Sequence, residues 1–176
     1  MDKRVKKTRA AIFSAFLELL SKKKLENITV GEIAEAADIN RVTVYQHFLD
    51  KYDILEKCTL EYIHNMLADC SADSELNVVK QAFQYIKDNQ ANLQLLLNNN
   101  GSNILHESLK NEFSSRFALH PQIEIDDSIY GKMKTEIIVS AVAGMFEWWI
   151  QTADQYSLDE AVESYRQIRN DFFPEA

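Results

Sequence analysis

The stretch that decides the fold runs from Asn27 to Leu55, NITVGEIAEAADINRVTVYQHFLDKYDIL. Thr29 with Glu32 three residues on forms a capping box, so a helix opens there. Val30, Ile33, Ala34 and Ala37 recur at helical spacing and give it one buried stripe. Asp38 follows as a turn residue that tolerates the left-handed region better than most non-glycines. Ile39 plugs the corner, and Asn40 is a good N-cap for a second short helix, Arg41 to Phe48. A third helix opens straight after it, with Asp50 as N-cap.

At roughly 100° per residue, Val44 and Phe48 fall on one side of the second helix and pack on the first. Val42, Thr43 and Gln46 point nearly the opposite way, with Tyr45 and His47 on the flanks of that sector. Arg41 sits at the N-terminal end, where a long side chain reaches forward. A DNA major groove asks for this layout: short side chains at the centre for base edges, hydrogen-bonding groups at the sides for phosphates. The competing reading is a helical hairpin with a solvated polar face.

The run T-V-G-E-I-A-E-A-A-D-I-N-R-V-T-V-Y-Q-H-F-L-D-K resembles the DNA-binding domain of the tetracycline-repressor (TetR) family. The resemblance covers about Thr8 to Ile63 and is densest from Ile39 to Lys51. Thr43-Val44-Tyr45-Gln46-His47-Phe48 is similar to the family's T-hydrophobic-Y-x-H-F core, and Asp50-Lys51 to the start of its fourth helix. The resemblance implies that Arg41, Val42 and Thr43 read bases, joined by the outward Gln46. It implies that Tyr45, His47 and Lys51 contact phosphates, as does the helix end capped by Thr29. Two positions depart from the pattern. Asp38 stands where glycine is usual, and Val42, which cannot hydrogen-bond, where a small residue is common.

The formal net charge of −8 splits along the chain. Residues 1–60 hold 11 Lys/Arg against 9 Asp/Glu, a balance of +2, and the remainder carries −10. Only the first part suits a polyanion. Lys3, Arg4, Lys6, Lys7 and Arg9 make a basic arm that can meet phosphates or a minor groove. A signal peptide is the competing reading of this end. Glu18 interrupts the apolar stretch after the arm, Lys22-Lys23-Lys24 follows it, and no cleavage site appears. Ile12, Phe16, Leu19 and Leu20 mark an amphipathic helix instead. Cys58 and Cys70 lie on one expected helix, about 18 Å apart at the usual rise, so they cannot bond within the chain. A reduced, cytoplasmic setting follows. The longest apolar stretch, Ile137 to Ile150, is too short to span a membrane and contains Glu147.

The expected fold is all-α, with about nine helices. Residues 1–50 form a three-helix helix-turn-helix DNA-binding domain with its basic arm. Residues 51–176 form a helical bundle for effector binding and dimerisation. Helix four runs to about Ala68 and breaks at Ser71-Ala72-Asp73-Ser74. Helices follow at about Glu75 to Asn89 and Asn92 to Asn98, then a loop at Asn98 to Asn103. Another covers Ile104 to about Ala118 and ends at His120-Pro121. The longest runs from Asp127 to about Thr152, and Ser157 to Glu160 is a capping box for the last.

In the long helix Glu136, Ser140, Glu147 and Gln151 make one narrow polar stripe. Ile138, Ala141, Val142, Met145, Trp148 and Trp149 fill most of the rest, so the helix is buried on several sides. Gly144 and the alanines let another helix approach. In a chain this small the extra apolar face suggests a second subunit, with one fully buried central helix of a monomer as the competing reading. TetR-like proteins pair through their last two helices, here Asp127 to Phe172, and a two-fold dimer reads the two half-sites of a palindromic operator in double-stranded DNA.

The resemblance also implies a repressor released from DNA when an effector, a small molecule or a protein, binds in the C-terminal bundle. Candidate pocket residues are Tyr62, Met66, Phe83, Phe113, Phe117, Met133 and Phe146, each with plain core packing as its alternative. No cofactor or metal is expected: His47, His64, His106 and His120 lack ligand spacing and neither cysteine has a near partner. His106-Glu107 reads as a surface pair. With no nucleophile elbow or phosphate-cradling loop, an enzyme is not expected. The remaining alternative is a TetR-like interaction module without specific DNA binding.

Overall fold

The computed structural model describes residues 3–67, 75–101, 103–104, 106–108, 110–111 and 128–172, and no strand occurs among them. The helices are α1 (Lys3–Leu20), α2 (Val30–Ala36), α3 (Arg41–His47), α4 (Lys51–Leu67), α5 (Glu75–Leu96), α6 (Ile129–Thr152) and α7 (Leu158–Phe172). A 3-10 turn at Leu25–Asn27 precedes α2, and a π turn at Leu97–Gly101 closes α5. The described residues between 103 and 111 are helical as well.

The chain divides into two compact units that do not follow chain order. One is Met1–Tyr62 with Ala91–Ile104, the other Ile63–Gln90 with Leu105–Ala176. The expected division after residue 50 falls inside the first. That unit has its own core. Ile12, Phe13, Phe16, Leu17 and Leu20 of α1 enclose Ile33 and Ala34 of α2, Val44 and Phe48 of the α3 turn, and Ile54, Leu55 and Cys58 of α4. Leu96, at the end of α5, belongs to the same cluster. Burial pushes the Cys58 thiol up to about 12, with Glu61 adding to the shift, so it stays a protonated apolar packing group.

In the second unit α6 supplies Val139, Ala143, Phe146, Trp149 and Ile150 to the core, beside Val79, Ala82, Phe83 and Ile86 of α5. Trp149 is fully buried, and its indole N–H donates to the Phe83 carbonyl at 3.0 Å. Lys87 closes the C-terminus of α6, its ammonium donating to the carbonyls of Ala153 and Tyr156 at 2.9 and 2.5 Å. Ser157 and Glu160 form the expected capping box for α7: the Ser157 amide donates to the Glu160 carboxylate at 2.9 Å, and Ser157 Oγ accepts the Glu160 amide at 3.2 Å.

Several boundaries move. The two expected helices over 75–98 are one, because nothing near Gln90 breaks the ladder and the polar side chains there find partners. Asn89 Nδ2 donates to the Tyr85 carbonyl at 2.8 Å, and Gln90 Nε2 to the Ile150 carbonyl at 3.1 Å. The expected loop at 98–103 begins as a π turn in which Asn99 bonds back to Leu95 at 3.0 Å. The long helix starts at Ile129, capped by Ser128, whose Oγ accepts the Gly131 amide at 3.2 Å. Its polar stripe is not merely solvated. Glu136 meets Lys110 at 2.5 Å and Glu147 meets His106 at 3.2 Å, so the expected His106-Glu107 pair is replaced by a tie to α6. The break at 71–74, the end at 120–121, and Cys70, Phe113 and Phe117 lie outside the described residues.

Candidate nucleic-acid interface

Local chemistry fixes the two helices of the motif. Thr29 Oγ1 accepts the Glu32 amide at 3.2 Å and the Glu32 carboxylate accepts the Thr29 amide at 2.9 Å, the reciprocal pair expected from sequence. Lys23 completes it at 2.5 Å from Glu32. The Lys23 ammonium and then the Thr29 amide and hydroxyl hold the Glu32 carboxyl down to about 2. The capping hydroxyl of Thr29 is therefore already committed to Glu32.

The turn is a Schellman motif. Ile39 N–H reaches the Ala34 carbonyl at 3.0 Å and Asp38 N–H the Glu35 carbonyl at 3.1 Å. Asp38 takes φ 51°, among the described residues the one non-glycine with positive φ. The glycine position of the family pattern keeps its left-handed geometry here with an aspartate in it. Asn40 then caps α3, its Oδ1 accepting the Val42 amide at 2.8 Å.

α3 presents the face that the helical wheel assigns to a groove. Val44 is its buried residue and Phe48, the C-cap, is buried just after it. Arg41, Val42, Tyr45 and Gln46 are exposed, Val42 to 64%, while Thr43 and His47 are half-buried. Arg41 and Tyr45 are joined: a guanidinium N–H donates to the tyrosine hydroxyl at 3.0 Å, and the guanidinium carbon lies 5.4 Å from the ring centroid.

Two expected DNA contacts are committed elsewhere. Lys51 Nζ donates to the carbonyls of Leu25, Glu26 and Ile28 at 2.9, 2.7 and 3.0 Å. An ammonium has three donors, so none is left for a phosphate. Lys51 instead ties α4 to the 3-10 turn before α2. Leu25 is anchored from the other side as well, its amide donating to Asn99 Oδ1 at 3.2 Å. Arg9 likewise leaves the arm. Its guanidinium lies 5.4 Å from the Phe13 ring and 5.1 Å from that of Phe48, and its Nε is buried without an acceptor. The basic arm is itself the start of α1, with Lys3, Arg4, Lys6 and Lys7 exposed on its first turns.

Residues 12–58 match the family described as bacterial regulatory proteins, tetR family, and residues 73–171 match a transcriptional regulator C-terminal region. The chain belongs to the TetR family of transcriptional regulators. This TetR-family chain is 37% identical over 57 residues to the uncharacterized HTH-type transcriptional regulator YxbF of Bacillus subtilis. That match covers 32% of this chain and only 15% of YxbF. In fold it resembles Lin0861 from Listeria innocua, with a TM-score of 0.72, 18% identity, and 98% and 94% of the two chains covered. It also resembles a TetR transcriptional regulator from Streptococcus agalactiae, with a TM-score of 0.64, 18% identity, and 95% and 96% covered. The regulator is a helix-turn-helix DNA-binding protein by family, and α3 is the helix that carries the motif.

The other expected sites separate. Phe83 and Phe146 are buried and form a tight aromatic cluster with Trp149, ring centroids of Phe146 and Trp149 lying 5.7 and 5.1 Å from that of Phe83. Met133 is exposed, and the Tyr62 hydroxyl accepts from Asn92 at 2.8 Å. Met66 lines an open cleft of about 470 Å³ with Asn65, Asn77, Lys80, Gln81, Gln84, Tyr85, Asp88 and Leu158. Of the expected dimer residues, Trp149 faces the subunit core, Ile138, Val142 and Met145 are half-buried, and Ala141 and Trp148 are exposed. Sequence reasoning missed Tyr130 and Ile137, which are exposed on the same side as Met133, Ala141, Gly144 and Trp148. The spacing of three and four from Tyr130 to Trp148 was the signal that could have found them. No group of side chains suited to a metal occurs among the described residues, and none of the described helices is long and apolar enough to cross a membrane.

Proposed function

We propose that this regulator binds a palindromic operator as a homodimer and acts as a cytoplasmic repressor, not an enzyme, released from DNA by an effector. Residues 1–50 are the DNA-binding part in this reading and residues 51–176 the part that pairs and responds. Arg41, Val42, Thr43 and Gln46 face bases. Tyr45, His47, the helix end capped by Thr29, and Lys3, Arg4, Lys6 and Lys7 on the first turns of α1 face phosphates. The observation that carries it is α3 itself, which buries one apolar side chain, Val44, and exposes Arg41, Val42, Tyr45 and Gln46. A helix with this distribution gains little from packing and is shaped by what it meets.

The dimer rests on α6. Tyr130, Met133, Ile137 and Trp148 are exposed large side chains at coiled-coil spacing, and a methyl placed on Gly144 would meet nothing within 4 Å. A second copy of α6, with α7 beside it, covers this stripe. The effector is of a class that reaches the C-terminal bundle, where the cleft beside Met66 offers mixed polar and charged walls.

Selecting bound sequences from a random DNA pool tests the whole reading. The expected result is a two-fold symmetric site whose half-sites lie about one helical turn apart, roughly 34 Å or a multiple of it. Its affinity should fall steeply as salt rises. Enrichment of no sequence, or a monomer by sedimentation, would sink it.

A further inference from the structure

Arg41 is the one arginine or lysine on α3, and among the described residues no carboxylate pairs with it. An exposed arginine at a helix N-terminus is ordinarily a mobile side chain with several long torsions to freeze on binding. Here it is held. The i,i+4 spacing puts Arg41 and Tyr45 on one flank of α3, and side chains on a helix lean toward its N-terminus, so the tyrosine reaches back to the arginine. One guanidinium N–H is bonded to the hydroxyl at 3.0 Å, and the guanidinium carbon is 5.4 Å from the ring centroid. Four of the five guanidinium donors remain for an outside acceptor.

We propose that Tyr45 is a specificity-determining positioning residue that holds the Arg41 guanidinium for a guanine in each half-site. The proposal rests on the DNA-binding reading above. The planar fork suits the O6 and N7 acceptors of guanine, and residues at the N-terminus of a recognition helix are those that meet base edges. The neighbouring groups do not compete for that base. Val42 has no hydrogen-bonding group, and Gln46, at the outward pole of the helix, is matched to adenine. Tyr45 thus acts on sequence choice through Arg41, in addition to any phosphate it touches itself.

The test compares the full-length wild type with Arg41→Ala, Tyr45→Phe, Tyr45→Leu and the Arg41→Ala/Tyr45→Phe double variant. Each is put through selection from a random pool and then competition between sites differing at single base pairs, at one salt concentration. Arg41→Ala should erase the preference for guanine at one pair of each half-site. Tyr45→Phe should reduce discrimination at that same pair about threefold and Tyr45→Leu about tenfold, a part of what one bidentate contact provides. On the Arg41→Ala background, Tyr45→Phe should change no base preference. Melting temperatures should not move, because both side chains are on the surface. Tyr45 variants that weaken every sequence alike would overturn the proposal and leave a phosphate contact only. So would an Arg41→Ala variant that keeps every preference while lowering the salt slope by about one, which marks a lost phosphate contact. A wild type that enriches no sequence would overturn the DNA-binding reading and this one with it, and is told apart because it fails before any variant is made.

Discussion

α3 and α6 expose opposite kinds of surface. α3 has seven residues and buries Val44 alone, with Arg41, Tyr45 and Gln46 turned to solvent around one exposed apolar side chain, Val42. α6 has 24 residues, buries Val139, Ala143, Phe146, Trp149 and Ile150, and still leaves Met133, Ile137 and Trp148 in water. A polar surface is at ease in water and marks a partner only by its pattern. An apolar stripe is not at ease there and marks a partner by its cost. On the proposed function the two helices meet different partners, a nucleic acid and a second copy of the chain, by different physics.

Adjacent tryptophans on α6 give the hardest test of that contrast. Trp149 is fully buried with its N–H bonded, whereas Trp148 is 52% exposed and lies tilted against Tyr156 with centroids 5.7 Å apart. Trp149→Ala should cost about 3–5 kcal/mol of folding stability, as large-to-small changes in a core do. Trp148→Ala should leave the unfolding of the subunit nearly unchanged and shift sedimentation toward monomer. Equal destabilisation by both, with the dimer intact in the second, would break the distinction between core face and partner face.

Lys51 sharpens the comparison from the DNA side. As a clamp on three carbonyls it belongs to the scaffold of the motif, not to its reading surface. Lys51→Met keeps the stem and removes the donors. It should lower stability by about 2 kcal/mol, since bonds from a charged donor are worth more than neutral ones. The salt slope of DNA binding should stay as it is, because no phosphate contact is lost. A slope reduced by about one with unchanged melting would return Lys51 to the phosphates.

What could be read from the chain divides along the same line. The capping boxes at Thr29/Glu32 and Ser157/Glu160, the Asn40 and Asp50 caps and the buried pair Val44 and Phe48 were legible because each depends on residues two to four apart. The commitments of Lys51 and Arg9 were not, because their partners lie 23 to 26 residues away for Lys51 and, for Arg9, include Phe48 across the fold. Trp148 and Trp149 look alike in sequence, and only the packing of α5 against α6 decides which one is core. The continuity of α5 was hidden for a related reason: Gln90 is accommodated by α6, a partner 60 residues on.

Asp38 is the smallest lever and acts on the turn that orients α3. Its φ of 51° is in the left-handed region, where an aspartate is tolerated at a cost and glycine at none. Glycine gives some of that back, because it loses more backbone freedom on folding, about 0.5–1 kcal/mol. The balance should leave Asp38→Gly about 0.5 kcal/mol more stable than wild type and Asp38→Val about 1–2 kcal/mol less stable, since a branched side chain fits that region worst. Urea unfolding of the three proteins should therefore rank glycine, aspartate, valine. If the glycine variant falls below wild type, the aspartate side chain stabilises the turn by its own hydrogen bonding. The departure from the family pattern would then be a stabilising choice and not a strained one.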